Sequence, residues 1–275
     1  MMKKYILHTL YSTLSICSLS LLGLCAACTE QDELPSADPQ PLTIAIGETV
    51  PFVEATGGPH TRVADSGTAL TWENGDKIYL AATIILNGTT TYAYSTTTYT
   101  SSGSNGTWSA PDPALSAPAG ATVNIEALYA KGTLSGNILT PAANSIITKA
   151  AATGITVTAS TAAIPLKFQS ALVRLEVVGI SASNTVTNSS FEVPKSVDTQ
   201  PANGSFNITT ASGSVVKNGV YYVLPPRYSM SLTTSNKKKL SRAAADVKAN
   251  QSYLFDMSSE NGDVRPDGEP FVKPT

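Results

Sequence analysis

A chain of 275 residues makes room for one large domain or two ordinary ones. Charged residues are only 14% of it, against about 25% in an average soluble domain, with 18 basic side chains facing 20 acidic ones. A net charge of -2 leaves nothing to neutralise a phosphate backbone, so no nucleic acid is expected as a partner. Low charge together with many β-branched residues also excludes a disordered chain and points to a folded, β-leaning one.

At the N-terminus, Lys3 and Lys4 precede a mostly apolar stretch over residues 5–24, and the small residues Ala26 and Ala27 lead to Cys28. That order is the anatomy of a signal peptide, here residues 1–27. Ser12, Thr13, Ser15, Ser18 and Ser20 dilute the stretch and no stop-transfer charges follow, which argues against a permanent membrane helix. Cys25-Ala26-Ala27-Cys28 resembles a bacterial lipobox; Cys25 competes for the role, but Leu24 before it is too bulky for the pattern. The resemblance implies that Cys28 becomes the lipidated first residue, held on a membrane by acyl chains worth about 0.8 kcal/mol per buried CH₂. Cys17 and Cys25 leave with the leader, so no thiol remains for a disulfide or a metal site.

Residues 28–40 are acidic and Pro-rich, a flexible tether. Leu42, Ile44 and Ile46 then alternate with Thr43 and Ala45, the period of a half-buried strand. Gly57-Gly58-Pro59 breaks the chain and sets His60-Thr61-Arg62 in an exposed loop. Next, Ala69-Leu70-Thr71-Trp72, Glu73-Asn74-Gly75-Asp76 and Lys77-Ile78-Tyr79-Leu80 read as strand, tight turn, strand. Residues 81–101 are Thr/Tyr-rich and interrupted at Asn87-Gly88, and residues 122–130 alternate with Val123, Ile125 and Ala127 on one face. The pattern fades over 131–163, and a domain boundary is expected near 150–164. It returns strongly at Ile164, Leu166 and Phe168 and again from Leu172 to Val178. Phe206 to Ile208, Gly219 to Leu224 and Tyr253 to Phe255 complete the expected strands; 240–248 is the one short helical candidate. Many short strands with almost no helical period predict an all-β chain, two β-sandwich domains in tandem over 41–160 and 161–275.

Chemistry is hard to find. The only histidine after the leader is His60, and there is no G-x-S-x-G elbow, H-E-x-x-H, C-x-x-C or phosphate loop. Ser214-Val215-Val216-Lys217 matches S-x-x-K without its K-T-G or S-D-N companions, and reads as a strand edge. Asp263, Asp267 and Glu269 fail the spacing of a calcium loop. Tyr92, Tyr94 and Tyr99 suggest a sugar-binding strip or an ordinary strand face, and Lys237-Lys238-Lys239 a solvated turn. No enzyme activity, cofactor or metal is expected.

A lipobox followed by Thr61-Arg62 and then Leu70-Thr71-Trp72-Glu73-Asn74-Gly75-Asp76-Lys77-Ile78 resembles the fimbrillin family, lipoprotein subunits of type V pili. Ala127-Leu128-Tyr129-Ala130 and Leu166-Lys167-Phe168-Gln169-Ser170-Ala171-Leu172-Val173-Arg174-Leu175 are similar to further family stretches, so the likeness runs over about 40–257. The resemblance implies two transthyretin-like Greek-key sandwiches and a structural subunit of a surface fimbria, exported to the outer membrane and supporting adhesion. It also implies an arginine-specific protease cutting between Arg62 and Val63, loss of the strand around Leu42 to Val53, and partner subunits that supply a replacement strand. Residues 258–275 depart from the family, since Val264, Phe271 and Val272 are too sparse to make a good donor strand. The alternative is a monomeric surface lipoprotein that binds glycan or protein ligands through Tyr92 and Tyr94. Before any cut at Arg62, the membrane-extracted chain is expected to begin at an acylated Cys28 and the Cys28→Ser chain to stay unacylated, both read by intact-mass spectrometry.

Overall fold

The computed structural model describes residues 38–49, 53–54, 72–102, 105–201, 203–213, 217–236, 239–257 and 264–266. In chain order its strands are β1 (Gln40–Pro41), β2 (Ile44–Thr49), β3 (Val53–Glu54), β4 (Lys77–Leu86), β5 (Thr89–Ser102), β6 (Asn105–Trp108) and β7 (Ser116–Ala117). Then come β8 (Thr122–Ala130), β9 (Gly132–Ser135), β10 (Ile138–Pro141), β11 (Ile147–Thr156), β12 (Ile164–Ser170), β13 (Val173–Val178) and β14 (Val186–Ser189). The last are β15 (Phe191–Asp198), β16 (Asn207–Gly213), β17 (Gly219–Val223), β18 (Ser229–Thr234), β19 (Lys239–Ala243), β20 (Gln251–Asp256) and β21 (Val264–Pro266). The all-β expectation holds. The helix expected over 240–248 does not form: Leu240 and Arg242 lie in β19, paired with β18, and only Ala244–Asp246 makes a 3-10 turn.

The largest sheet has seven strands in the order β2-β12-β11-β8-β4-β5-β6. Every pair in it is antiparallel except β2 with β12, which is parallel. Asn87 and Gly88 close the β4–β5 hairpin with φ of 49° and 79°, the paired positive angles that a two-residue turn requires. The alternation read in residues 122–130 places Val123, Ile125, Ala127 and Tyr129 of β8 in one core. That core also holds Ile78, Leu80, Ala82 and Ile84 of β4 and Ile164, Leu166 and Phe168 of β12.

The other face of the same strands is buried too. Tyr79, Ala81, Leu128, Ala130 and Ile147 pack against Leu139, Val197 and Phe206 of a four-stranded sheet, β16-β15-β10-β9, and its flanking loop. Hydrogen bonds between β10 and β15 (Ile138 with Asp198, Leu139 with Val197) join strands that lie on either side of the boundary expected near 150–164. A third core closes the C-terminal half, where β17-β13-β20-β21 faces β14-β18-β19 across Val173, Leu175, Val177, Met230, Leu232, Tyr253 and Phe255.

The W-x-x-G-D stretch is the aromatic hub of the first core. Gly75 takes φ of 90° in the turn, the Asp76 carboxylate accepts from the Glu73 N–H at 2.7 Å, and the Tyr99 N–H donates to the Asp76 carbonyl at 2.8 Å. The turn was legible, but Trp72 itself is irregular rather than in a strand, and Ala69 to Thr71 lie outside the described residues. The Trp72 ring meets Trp108 and Tyr129 edge-on, with centroids 5.0 Å away in each case, and Phe168 at 5.9 Å. Such pairs add about 0.5–1.5 kcal/mol beyond the area they bury.

Burial first, and then the Asp76 carboxylate nearby, raise the Tyr129 hydroxyl above its ordinary pKa of 10.0. The unfolded chain ionises this group at the ordinary value and the folded chain does not. Its contribution to stability is therefore complete below pH 10 and lost as pH rises toward the folded value. Melting temperatures followed by circular dichroism are expected to fall above pH 10, with part of that fall missing in Tyr129→Phe.

Candidate functional site

The N-terminal segment over residues 40–54 touches three separate elements. β1 pairs with β7, and the Leu42 N–H donates to the Leu115 carbonyl at 2.8 Å. β2 then runs parallel to β12, with Ile44 opposite Ile164 and Ile46 opposite Leu166, and the Ile164 N–H donates to the Thr43 carbonyl at 2.8 Å. β3 crosses to the C-terminal half and pairs parallel with β20, Val53 opposite Gln251 and Glu54 opposite Ser252.

Sequence explains why the segment sits there. Leu42 is buried in the first core, and Ile44 and Ile46 pack half-buried against it, while Thr43, Ala45 and Gly47 face outward. That is the alternation expected from the residues alone. Its partner was not legible, because a parallel pairing with residue 164 leaves no local signal. β2 is one of the two outer strands of the seven-stranded sheet, so its loss would uncover the edge of β12 from Ile164 to Phe168 and the apolar row beneath Ile44 and Ile46. On β20, β3 covers Gln251 and Ser252 and the C-terminal β21 covers Tyr253, Leu254 and Phe255. β13 already occupies the other side at Ser252 to Asp256, so both short strands lie along one edge.

Cys28, Arg62 and Val63 lie outside the described residues, as do His60, Asp263, Asp267, Glu269, Ser214, Lys237 and Lys238. In the sequence, Arg62 follows β3, so a cut there would separate β1, β2 and β3 from every later strand. The three tyrosines do not form one strip. Tyr92 and Tyr94 share a face of β5, whereas Tyr99, an odd number of residues away, stacks on Trp108 on the opposite face with centroids 5.2 Å apart. Tyr94 is engaged, its hydroxyl donating to the Pro201 carbonyl.

One recess of about 580 Å³ is lined by Glu126, Lys149, Lys167 and Gln169. The Lys149 ammonium bonds Glu126 at 2.9 Å and the Phe206 carbonyl at 3.0 Å, and the Phe206 N–H donates to Glu126 at 3.3 Å. This pair pins the loop before β16 to the large sheet. Sequence reading missed it, since the two charges stand 23 residues apart. Among the described residues no group of three or more His, Cys, Asp or Glu side chains could hold a metal ion.

No protein-family model and no curated protein matches the chain. Among solved structures, a candidate cell adhesion protein from Bacteroides uniformis aligns with a TM-score of 0.42 and 17% identity, over 84% of this chain and 96% of that one. A fimbrial protein from Bacteroides ovatus aligns with a TM-score of 0.37 and 12% identity, over 82% of this chain and 50% of that one. A candidate cell adhesion protein from Bacteroides fragilis gives 0.35 and 13%, over 86% and 99%. The likeness is distant, and the roles named are those proteins' own.

Leu42 fills the first core from the segment, so Leu42→Ala is expected to cost about 2–4 kcal/mol of unfolding free energy. The exposed neighbour Thr43→Ala is expected to stay within about 0.5 kcal/mol, urea unfolding measuring both.

Proposed function

We propose that this chain is a fimbrillin-like subunit of a cell-surface fimbria, exported as an outer-membrane lipoprotein through Cys28 and assembled by strand exchange. The observation that carries the reading is the segment over residues 40–54. It is outermost in one sheet, parallel to its neighbour and shared between two halves of the molecule. It is joined to the rest only through the stretch that contains Arg62. An arginine-specific protease cutting between Arg62 and Val63 would free it. The vacated edge of β12 presents unpaired N–H and C=O groups above an apolar row, the template on which an added strand gains both hydrogen bonds and burial.

The reading assigns the chain a structural role and no catalytic one. A monomeric glycan-binding lipoprotein is the competing reading. It has less support, since Tyr94 is already bonded to Pro201 and Tyr92 alone of the pair stands 45% exposed.

Cells expressing the wild-type chain are expected to yield a species beginning at Val63 and a ladder of SDS-resistant oligomers. Arg62→Ala is expected to abolish both, and N-terminal mass spectrometry with unheated gels reads them. A wild-type chain that stays acylated at Cys28, uncut at Arg62 and monomeric would sink the proposal and send the question to glycan-binding assays.

A further inference from the structure

The register of the β4–β5 hairpin fixes which backbone groups of β5 point away from the sheet. Thr96 exchanges both of its hydrogen bonds with Asp112, at 3.0 and 2.9 Å, and the Thr98 carbonyl accepts from the Ser109 N–H at 2.9 Å. Pairing with β4 continues without a shift to the turn, so every second residue before Thr96 has the same outward aim: Tyr94, Tyr92 and Thr90. Beyond Thr96 the row is covered by Asp112, Ser109 and β6. Before it, among the described residues, no main-chain partner meets Thr90, Tyr92 or Tyr94.

Other outer strands among the described residues are blunted. β9 and β14 have four residues each, and β21 has three and ends on Pro266. β16 meets β15, and β2 meets β12, across a register shift. β19 carries Lys239 and Arg242. The outer edge of β17 is plugged by the Asn144 side chain, which donates to the Val220 carbonyl at 3.1 Å and accepts from the Tyr222 N–H at 2.9 Å. Short strands, irregular register, charge and covering are the devices that keep an edge from pairing. Residues 89–95, Thr-Thr-Thr-Tyr-Ala-Tyr-Ser, have none of them: the stretch is in unbroken register with β4, uncharged and free of proline.

We propose that two copies of this chain pair edge to edge through residues 90–94, antiparallel about a two-fold axis at Tyr92. The occupant is a second copy because the row is complementary to itself. With Tyr92 opposite its own counterpart, Thr90 meets the partner's Tyr94 and Tyr94 meets the partner's Thr90, and each of these pairs exchanges two hydrogen bonds. No like charges are brought together, and the two Tyr92 rings fall side by side on one face of the joined sheet. The ring is already held from below: a Cβ on Gly204 would come within 2.8 Å of it, so glycine lets that loop close on the tyrosine. This edge lies toward the opposite side of the seven-stranded sheet from β2, so the pairing is independent of cleavage at Arg62.

A cysteine at the axis tests the register. Opposed residues of this kind sit with Cα atoms about 5.5 Å apart, inside the disulfide range. The full chain carrying Tyr92→Cys, oxidised mildly in membranes, is expected to give a disulfide-linked dimer absent from wild type and from Thr98→Cys, whose carbonyl Ser109 already takes. In the Arg62→Ala background, where no strand-exchange ladder forms, Tyr92→Lys is expected to shift the light-scattering mass of the detergent-extracted chain from two copies to one, with its circular dichroism unchanged. An Arg62→Ala chain with a mass of one copy at every concentration overturns the proposal. So does a Tyr92→Cys chain that stays monomeric or crosslinks to a different protein.

Discussion

Unpaired backbone groups at the rims of open sheets are the constraint that organises this molecule. A sheet that does not close on itself exposes N–H and C=O groups along two sides, and each side must be covered, blunted or used. Here one segment near the N-terminus does the covering for two sheets, lying on β12 as β2 and on β20 as β3. The arrangement ties the two halves of the fold through a piece that neither half owns. The segment buries Leu42 in the first core and leaves Ile44 and Ile46 half-buried at its rim.

Burial on both faces is the second consequence of stacking sheets in this way. β4 and β8 supply alternate residues to two different cores, so the run from Ala127 to Ala130 is buried without a break. The Lys149–Glu126 pair stands where these layers leave a gap, and its bonds to both main-chain groups of Phe206 matter more than its charge. Arg174 has a similar place in β13, buried and donating to Ser252 of the parallel neighbour at 2.9 Å. Few charges are present, and several of those that are buried or half-buried hold one strand or loop to another.

Fold class was readable because alternation and turn chemistry are local. Val123, Ile125 and Ala127 announced β8, and Asn87-Gly88 announced the hairpin. Residues 131–163 were opaque because Gly, Thr and Ala dilute the few large apolar residues of their strands, and burial there is decided by what lies across the sheet rather than by a local pattern. Residues 240–248 were the one short helical candidate, yet Leu240 drops into the third core and Arg242 lies over the Tyr253 ring at 5.4 Å. At the candidate site, Leu42, Ile44 and Ile46 were legible as a strand. The partners β12 and β20, about 120 and 200 residues later, were not, since long-range parallel pairing writes nothing into neighbouring sequence. Asn144 was equally silent; an asparagine that imitates a strand looks like any other loop residue.

Chain order gives that asparagine a further meaning. Its amide bonds to β17 span 76 and 78 residues, and it belongs to the part of the chain made first. As the polypeptide emerges from its N-terminus, the loop carrying Asn144 is available before the strand it protects exists. β17 therefore need never wait with a bare rim. The strand β2 faces the opposite schedule: it is made long before β12 and must stay unpaired until that strand arrives. Within one chain, one edge is born guarded and another strand is born waiting, and the waiting strand is the one that the proposed cut would release.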